Sequence, residues 1–143
     1  MKRKLLIAGA LLALFTGCKT MESKNPLLTE STAPFGAPQF DKIKIEHYLP
    51  AFEAGIKEAK AEIDAIVANT EEPTFENTIE AMENSGRTLN RVAGIFYNLM
   101  EAHTSDQMQE IAEKVAPMMT EYSMYVSLND ALFQKVKAVY DKR

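Results

Sequence analysis

The chain has little of the chemistry on which many catalytic and metal-binding sites depend. Its 143 residues include one cysteine, two histidines and no tryptophan. A single cysteine excludes an intramolecular disulfide, and so few nitrogen and sulfur ligands leave little for a metal site. The net charge of −4 argues against binding of nucleic acid, which needs clustered lysine and arginine to neutralise phosphates.

Recognisable catalytic motifs are also missing. His47 is followed by Tyr-Leu-Pro-Ala and His103 by Thr-Ser-Asp-Gln. Neither histidine therefore belongs to the pattern H-E-x-x-H, which places two imidazoles and a general base on one helix face. The sequence contains no G-x-S-x-G elbow and no glycine-rich phosphate loop. We therefore predict no catalytic residue, no metal ligand and no cofactor within this chain.

The first eighteen residues have the pattern of a cleaved, lipid-modified leader. Lys2-Arg3-Lys4 precedes an eleven-residue apolar run, Leu5 to Phe15. Eleven helical residues rise about 16 Å, about half of a ~30 Å hydrocarbon core, so the run fits a signal peptide rather than a transmembrane helix. The following Thr16-Gly17-Cys18 is similar to a bacterial lipobox, which implies lipid attachment at Cys18. An ordinary secretory signal with an incidental cysteine is the alternative.

This pattern divides the chain into three predicted parts: a lipoprotein signal peptide (1–17), a flexible tether (18–40) and a helical region (41–143). The tether is rich in Ser, Thr, Pro and Gly without periodicity, and we expect its Phe35 and Phe40 to dock on a neighbouring surface. Lys19 follows the cysteine, which by resemblance to other bacterial lipoproteins favours the outer membrane. We therefore expect a cell-envelope protein attached to a membrane through its lipid.

About four helices are predicted after the tether, and no stretch alternates like a β-strand. The first begins near Glu46–Pro50, because proline is tolerated in a first helical turn, and it ends at Asn69. Its apolar residues recur at intervals of three and four, which predicts one buried stripe: Leu49, Phe52, Ile56, Ala59, Ile63 and Ile66.

The second predicted helix is capped by Thr74 and runs from Phe75 to about residue 101. Its stripe consists of Phe75, Ile79, Met82, Gly86, Leu89, Ala93, Phe96 and Met100. Gly86 and Gly94 lie inside this helix, and we expect another helix to approach closely at both.

The last two helices are predicted mainly from residues at their ends and from one proline. Thr104 and Gln107 have the spacing of a capping box, and Pro117 predicts a kink or a break near residues 113–117. The fourth helix is capped by Ser127 or Asn129 and continues to residue 143 without a stop signal. The stretch 92–100 is apolar nearly all round, which a small bundle does not easily bury. These features lead us to expect a native protein larger than this chain.

Several strings of the sequence resemble the N-terminal region of peptidyl-dipeptidases (dipeptidyl carboxypeptidases) of the thimet oligopeptidase family. The most specific string is Pro73-Thr74-Phe75-Glu76-Asn77-Thr78-Ile79, and further similar strings occur at 25–28, 34–43, 46–52, 128–129, 132–133 and 136–140. The resemblance covers about 25–143, but only the opening section of a much longer family protein.

The resemblance implies an all-α fold, in which this chain is an antiparallel helical segment of a larger metallopeptidase. Family members bind zinc through H-E-x-x-H and a downstream glutamate, and dipeptidyl members release dipeptides from the C-termini of short peptides. Their N-terminal helices form part of the wall of a deep channel. We therefore expect this chain, as a truncated reading frame or a fragment, to be inactive without the C-terminal catalytic region. A stand-alone helical lipoprotein that binds a partner, and a stand-alone hydrolase, are the alternatives.

Overall fold

The computed structural model describes residues 25–143, so the predicted signal peptide and Cys18 lie outside the described residues. In the described part every regular element is helical, which confirms the all-α prediction. Three short 3-10 turns come first, followed by α1, a π-helical turn that leads into α2, and then α3, α4 and α5. The bounds are Pro26–Leu28, Pro34–Gly36 and Ile45–His47 for the 3-10 turns, Tyr48–Ala68 (α1), Phe75–Glu80 (π), Ala81–Glu83 (α2), Arg87–Ala102 (α3), Asp106–Ser127 (α4) and Asp130–Tyr140 (α5).

The apolar stripe predicted for the first helix is the centre of the fold. Five of its six residues are buried, and Leu49 is half-buried. The first half of α1 packs against α3 and α4 in the main core, and its last turns contact α5 and α2 in a second cluster. Helix α1 therefore joins the two cores.

The main core is built around interlocking aromatic rings and one close backbone contact. Phe96 of α3 meets Phe52 of α1 edge-on, with 5.4 Å between ring centroids. Such pairs add about 0.5–1.5 kcal/mol beyond the area that they bury. Beside them, a Cβ atom added at Gly55 would lie 3.1 Å from the Cα atom of Leu89. A side chain at position 55 would therefore require α1 and α3 to move apart by a few tenths of an ångström.

The prediction of one continuous helix from residue 75 to residue 101 is wrong. The chain leaves the helix after Glu83 and resumes it at Arg87, and Gly86 has a φ of 68°. Glycine adopts this left-handed conformation without the steric cost that other residues have. The Glu62 carboxylate of α1 accepts a hydrogen bond from the Gly86 backbone N–H at 2.6 Å, which stabilises the break. Gly94 has no atom within 4 Å of an added Cβ, so no close helix contact explains it.

The later helix boundaries differ from the predictions in detail. The N-cap of α4 is Ser105, whose hydroxyl accepts from the Met108 N–H at 3.3 Å, and not Thr104. Pro117 lies within α4, which continues from Asp106 to Ser127 without a break. Of the two caps predicted for the last helix, Ser127 and Asn129, the structure has Asn129, which accepts from the Leu132 N–H, but α5 ends at Tyr140.

Part of the segment predicted as a tether packs on the helices. Leu27 is buried in the main core, and the Asn25 side-chain amide donates to the backbone carbonyl of His47 at 2.7 Å. The expectation that Phe35 and Phe40 dock on a neighbouring surface is wrong, because both rings are exposed. The segment therefore contacts the helical region from residue 25 onward. These contacts are made by Asn25 and Leu27 rather than by the rings of Phe35 and Phe40.

The stretch 92–100 is better covered than its composition predicts. Val92 and Phe96 are completely buried by α1 and α4, and Tyr97 is its one exposed large apolar side chain. Other exposed large apolar side chains lie on α4 (Met124), on α5 (Phe133 and Tyr140) and on the π-helical turn (Phe75). None of the helices among residues 25–143 combines the length and apolar character needed to cross a bilayer.

Candidate interaction surface

The two histidines have structural positions at helix ends. His47 Nδ1 accepts a hydrogen bond from the Lys44 backbone N–H at 3.0 Å, as expected for a residue that stabilises the start of α1. His103 is exposed and caps the C-terminus of α3. Within residues 25–143, no three histidine, cysteine or acidic side chains are grouped as a metal would require. The donors present in the described part therefore do not fit the zinc site that the family resemblance implies.

An apolar groove lies between the π-helical turn and α5. We define the α5 groove by five residues that line it: Phe75, Ile79, Val136, Val139 and Tyr140. Its volume is about 390 Å³. The rings of Phe75 and Tyr140 are 60% and 59% exposed, so they form the rim rather than the floor. Phe133, one turn before Val136 on α5, is also exposed, at 58%.

A capping box fixes the side of the groove that contains Phe75. The Thr74 hydroxyl accepts from the Asn77 N–H at 3.2 Å, and the Asn77 side-chain oxygen accepts from the Thr74 N–H at 2.8 Å. The first bond confirms Thr74 as the predicted cap. Ala81 N–H then bonds to the Glu76 carbonyl, five residues back, which is the pattern of a π-helix. The most specific string of the sequence thus forms one wall of the groove.

Two lysines hold α5, the other wall, against the loop after α1. Lys135 Nζ donates to the Asn69 carbonyl at 2.6 Å, and Lys142 Nζ lies 2.7 Å from Glu72 Oε1. The hydrogen bond and attraction of Lys142 lower the pKa of Glu72 below its ordinary 4.5. Leu132 adds a buried apolar contact in the second core cluster, beside Ile63 and Ile66 of α1. The groove is therefore held by contacts between residues 66 and 70 positions apart in the sequence.

The basic end of the groove is formed by the last two residues. The guanidinium of Arg143 lies over the Tyr140 ring, 3.7 Å from its centroid, in a cation–π contact. Lys142 and Arg143 both line the groove. The surface thus combines aromatic and aliphatic side chains with two cations at one end.

Sequence reasoning placed Phe75 on an inward-facing stripe and missed the groove. The stripe of the second helix assumed 3.6 residues per turn, whereas the π-helical turn contains an extra residue and changes which side chains face the core. A signal was nevertheless present, because the string 73–79 and the string 136–140 both belong to the family resemblance. These two strings are the ones that meet at the groove.

Comparison with known proteins finds peptidases. The chain is 42% identical over 123 residues to dipeptidyl carboxypeptidase of Escherichia coli, and 43% identical over 121 residues to dipeptidyl carboxypeptidase of Salmonella typhimurium. It is 28% identical over 117 residues to oligopeptidase A of Escherichia coli. These matches cover 82–86% of this chain but only 17–18% of each relative, so the chain spans less than a fifth of the relatives' length. No family model matches the chain.

Proposed function

The chain belongs to the thimet oligopeptidase family, through its relationship to the N-terminal region of dipeptidyl carboxypeptidases, and on this premise we propose that it is a helical wall segment of such a peptidase. The observation that carries the proposal is the 42% identity to the Escherichia coli enzyme along 86% of this chain. In this role the segment positions and encloses short peptides, and the peptide bond is cleaved by residues elsewhere in the enzyme.

The catalytic region is the partner that this proposal requires. More than four fifths of each relative lies outside the matched segment, so the segment has a large body against which to pack. The α5 groove is suited to that contact because it is apolar and because its rim rings are more than half exposed. Burial of exposed apolar area stabilises an interface by about 25 cal/mol per Å² before the costs of association. The groove is therefore proposed as a site of contact with the catalytic region.

Zinc and catalysis are assigned to that catalytic region in this proposal. The family resemblance implies a zinc peptidase, and the described residues of this chain lack a suitable ligand set. We expect the chain alone to hydrolyse peptides no faster than background when zinc is added. Saturable cleavage that follows the purified chain through a second chromatographic step would instead support the stand-alone hydrolase.

Membrane attachment through Cys18 is a separate part of the proposal. Asn25 and Leu27 are fixed to the helical region by a hydrogen bond and by burial. Six residues lie between Cys18 and Asn25, so the two Cα atoms are at most about 25 Å apart at full extension. A lipid on Cys18 would therefore hold the helices close to the outer membrane. Cys18→Ser should abolish incorporation of labelled fatty acid and release the protein from the membrane fraction. Unchanged incorporation in this variant would exclude the cysteine as the acceptor.

A chimeric enzyme tests the main proposal. In Escherichia coli dipeptidyl carboxypeptidase, residues 25–143 of this chain replace the segment that matches them. We expect the chimera to release dipeptides at a rate within about tenfold of the parent enzyme, because exchanges between related segments that keep volume and pattern are tolerated. Tyr140→Asp in the chimera should reduce activity or assembly, because it places a charge in the contact with the body.

A matched control uses a ring outside the groove. Phe35 is at least as exposed as Tyr140, and Phe35→Asp should leave the chimera unchanged. An inactive but folded chimera would contradict the wall-segment role and favour the independent binding module. Equal losses from Tyr140→Asp and Phe35→Asp would remove the groove from the proposal while leaving the wall-segment role.

A further inference from the structure

A second cavity, of about 300 Å³, lies between the N-terminal segment and α3. Leu27, Ile43 and Ile95 supply apolar parts of its wall, and Arg91 and Lys42 supply positive charge. This volume is at the lower end of the range for small-molecule sites, about 300–1,000 Å³. The cavity is therefore large enough for a group the size of one or two amino-acid residues.

The guanidinium of Arg91 has few partners in this cavity. A guanidinium offers five N–H donors. Arg91 Nη2 donates to the Leu27 carbonyl over a long 3.4 Å, and Arg91 Nε is buried without a hydrogen-bond partner in the described part of the chain. Arg87, one turn earlier on α3, is instead exposed and donates to Asn84. Arg91 is thus a partly desolvated cation with unused donor capacity.

No carboxylate within residues 25–143 forms an ion pair with either cation of the cavity. The ion pairs of the described residues involve Lys44, Lys60, Lys137 and Lys142, and neither Arg91 nor Lys42 takes part in one. Glu30 is the acidic residue in the cavity wall, against two cations. The balance of charge at the cavity therefore favours a ligand with one negative charge over a cation or a multiply charged anion.

We propose that this cavity binds the carboxylate of a small amphiphilic acid, with the Arg91 guanidinium as the group that contacts it. The planar fork of arginine matches the two oxygens of a carboxylate, and such charge-assisted pairs are stronger than neutral hydrogen bonds. Lys42 adds attraction from the exposed side. Leu27, Ile43 and Ile95 provide apolar contact for the rest of the ligand.

Two sources supply this chemistry: a free aliphatic acid and the C-terminus of a short peptide. The cavity is large enough for either, and both present a carboxylate beside a small apolar group. The proposal stands on the cavity alone, so it holds or fails independently of the role as a peptidase wall segment. Calorimetric titration of the full chain distinguishes the sources with three probes: isovalerate, N-acetyl-alanyl-valine and N-acetyl-alanyl-valinamide.

The peptide acid should bind saturably, and its amide, which lacks the negative charge, should bind at least about tenfold more weakly. Arg91→Gln should reduce affinity for the acid by about tenfold or more, whereas the matched variant Arg87→Gln should change it by less than about twofold. Isovalerate binding as tightly as the peptide acid would identify a free acid as the source. Weaker binding of isovalerate would identify the peptide C-terminus.

Equal binding of acid and amide, no saturable heat with either acid, or equal losses from Arg91→Gln and Arg87→Gln would overturn the proposal. Circular dichroism checks that Arg91→Gln remains helical. If that variant does not fold, Lys42→Met provides the second test, because Lys42 is exposed and makes no ion pair among the described residues. It should weaken binding of the acid by about threefold and leave the amide unaffected. No change with Lys42→Met would also count against the proposal.

Discussion

Three glycines in the helical part of the chain have three different environments. Gly55 permits close contact between the backbones of α1 and α3, Gly86 adopts a left-handed conformation at a helix break, and Gly94 faces open space. Sequence reasoning expected a close helix contact at Gly86 and Gly94. A Cβ added at Gly86 would lie 3.6 Å from Ala59 of α1, which is ordinary contact, whereas one added at Gly94 would meet nothing within 4 Å. The contact that determines the helix spacing lies at Gly55, where no need for glycine was predicted.

The Gly55→Ala and Gly94→Ala substitutions should have opposite effects on stability. An alanine Cβ at position 55 would meet Leu89 backbone at 3.1–3.2 Å, and backbone within a packed helix pair does not move easily. We expect the free energy of unfolding to fall by about 1–3 kcal/mol, as in other overpacked cores. Gly94→Ala meets nothing and should raise it by up to about 1 kcal/mol through helix propensity. Urea titrations of both variants measure the two changes, and stabilisation by Gly55→Ala would contradict the close contact.

The helices show which features of an element follow from local sequence. The stripe of α1 and the caps Thr74 and Asn129 were predicted correctly, because each depends on residues within a turn or two. The break at Gly86 was not predicted, since it depends on a carboxylate 24 residues earlier, Glu62. The π-helical turn was missed for a related reason: its extra residue interrupts the 3.6-residue period from which the stripe was read.

The residue that caps α4 in the structure differs from the one that the sequence predicted. Ser105 accepts from the Met108 N–H, whereas Thr104 precedes the cap. Ser105→Ala should therefore lower the free energy of unfolding by about 0.5–2 kcal/mol, because it leaves a helix donor without its partner. Thr104→Ala is the matched control and should change stability by less than about 0.5 kcal/mol. A larger loss of unfolding free energy from Thr104→Ala than from Ser105→Ala would instead identify Thr104 as the cap, as the sequence spacing predicted.

At the scale of the whole molecule, electrostatic contacts between distant parts of the chain predict sensitivity to acid. Lys142 lowers the pKa of Glu72 and Lys60 lowers that of Glu121, both from an ordinary 4.5 and first through a hydrogen bond. A carboxyl whose folded pKa is lowered stabilises the fold above its unfolded pKa. That contribution is lost as pH falls through the folded value.

The melting temperature should therefore be nearly constant from about pH 7 to pH 5 and should fall below about pH 4.5. Both carboxylates are exposed, so the contribution of each is small and should shrink in high salt. Glu121→Gln removes one of the two contacts and should reduce the fall at low pH. Thermal melts followed by circular dichroism across this range measure the effect, and a rise in melting temperature on acidification would contradict it.

Residues 25–143 contain two cores joined by α1 and an apolar groove that the described residues leave open. The sequence alone predicted the helices and the family resemblance, and the comparisons confirm the resemblance. The groove itself could not be predicted, because its walls are brought together by the contacts of Lys135 and Lys142 with the loop after α1. The proposed wall-segment role therefore predicts that a catalytic region covers Phe75 and Tyr140.

Site-specific photo-crosslinking tests that claim most directly. In the chimera with Escherichia coli dipeptidyl carboxypeptidase, Tyr140 is replaced by p-benzoylphenylalanine, and Phe35 is replaced in a matched control. After irradiation, mass spectrometry identifies the peptides joined to each position. The account predicts that position 140 crosslinks to the enzyme outside the exchanged segment, whereas position 35 does so weakly or not at all. Crosslinks from position 140 that remain within residues 25–143, in a chimera that still cleaves peptides, would contradict it.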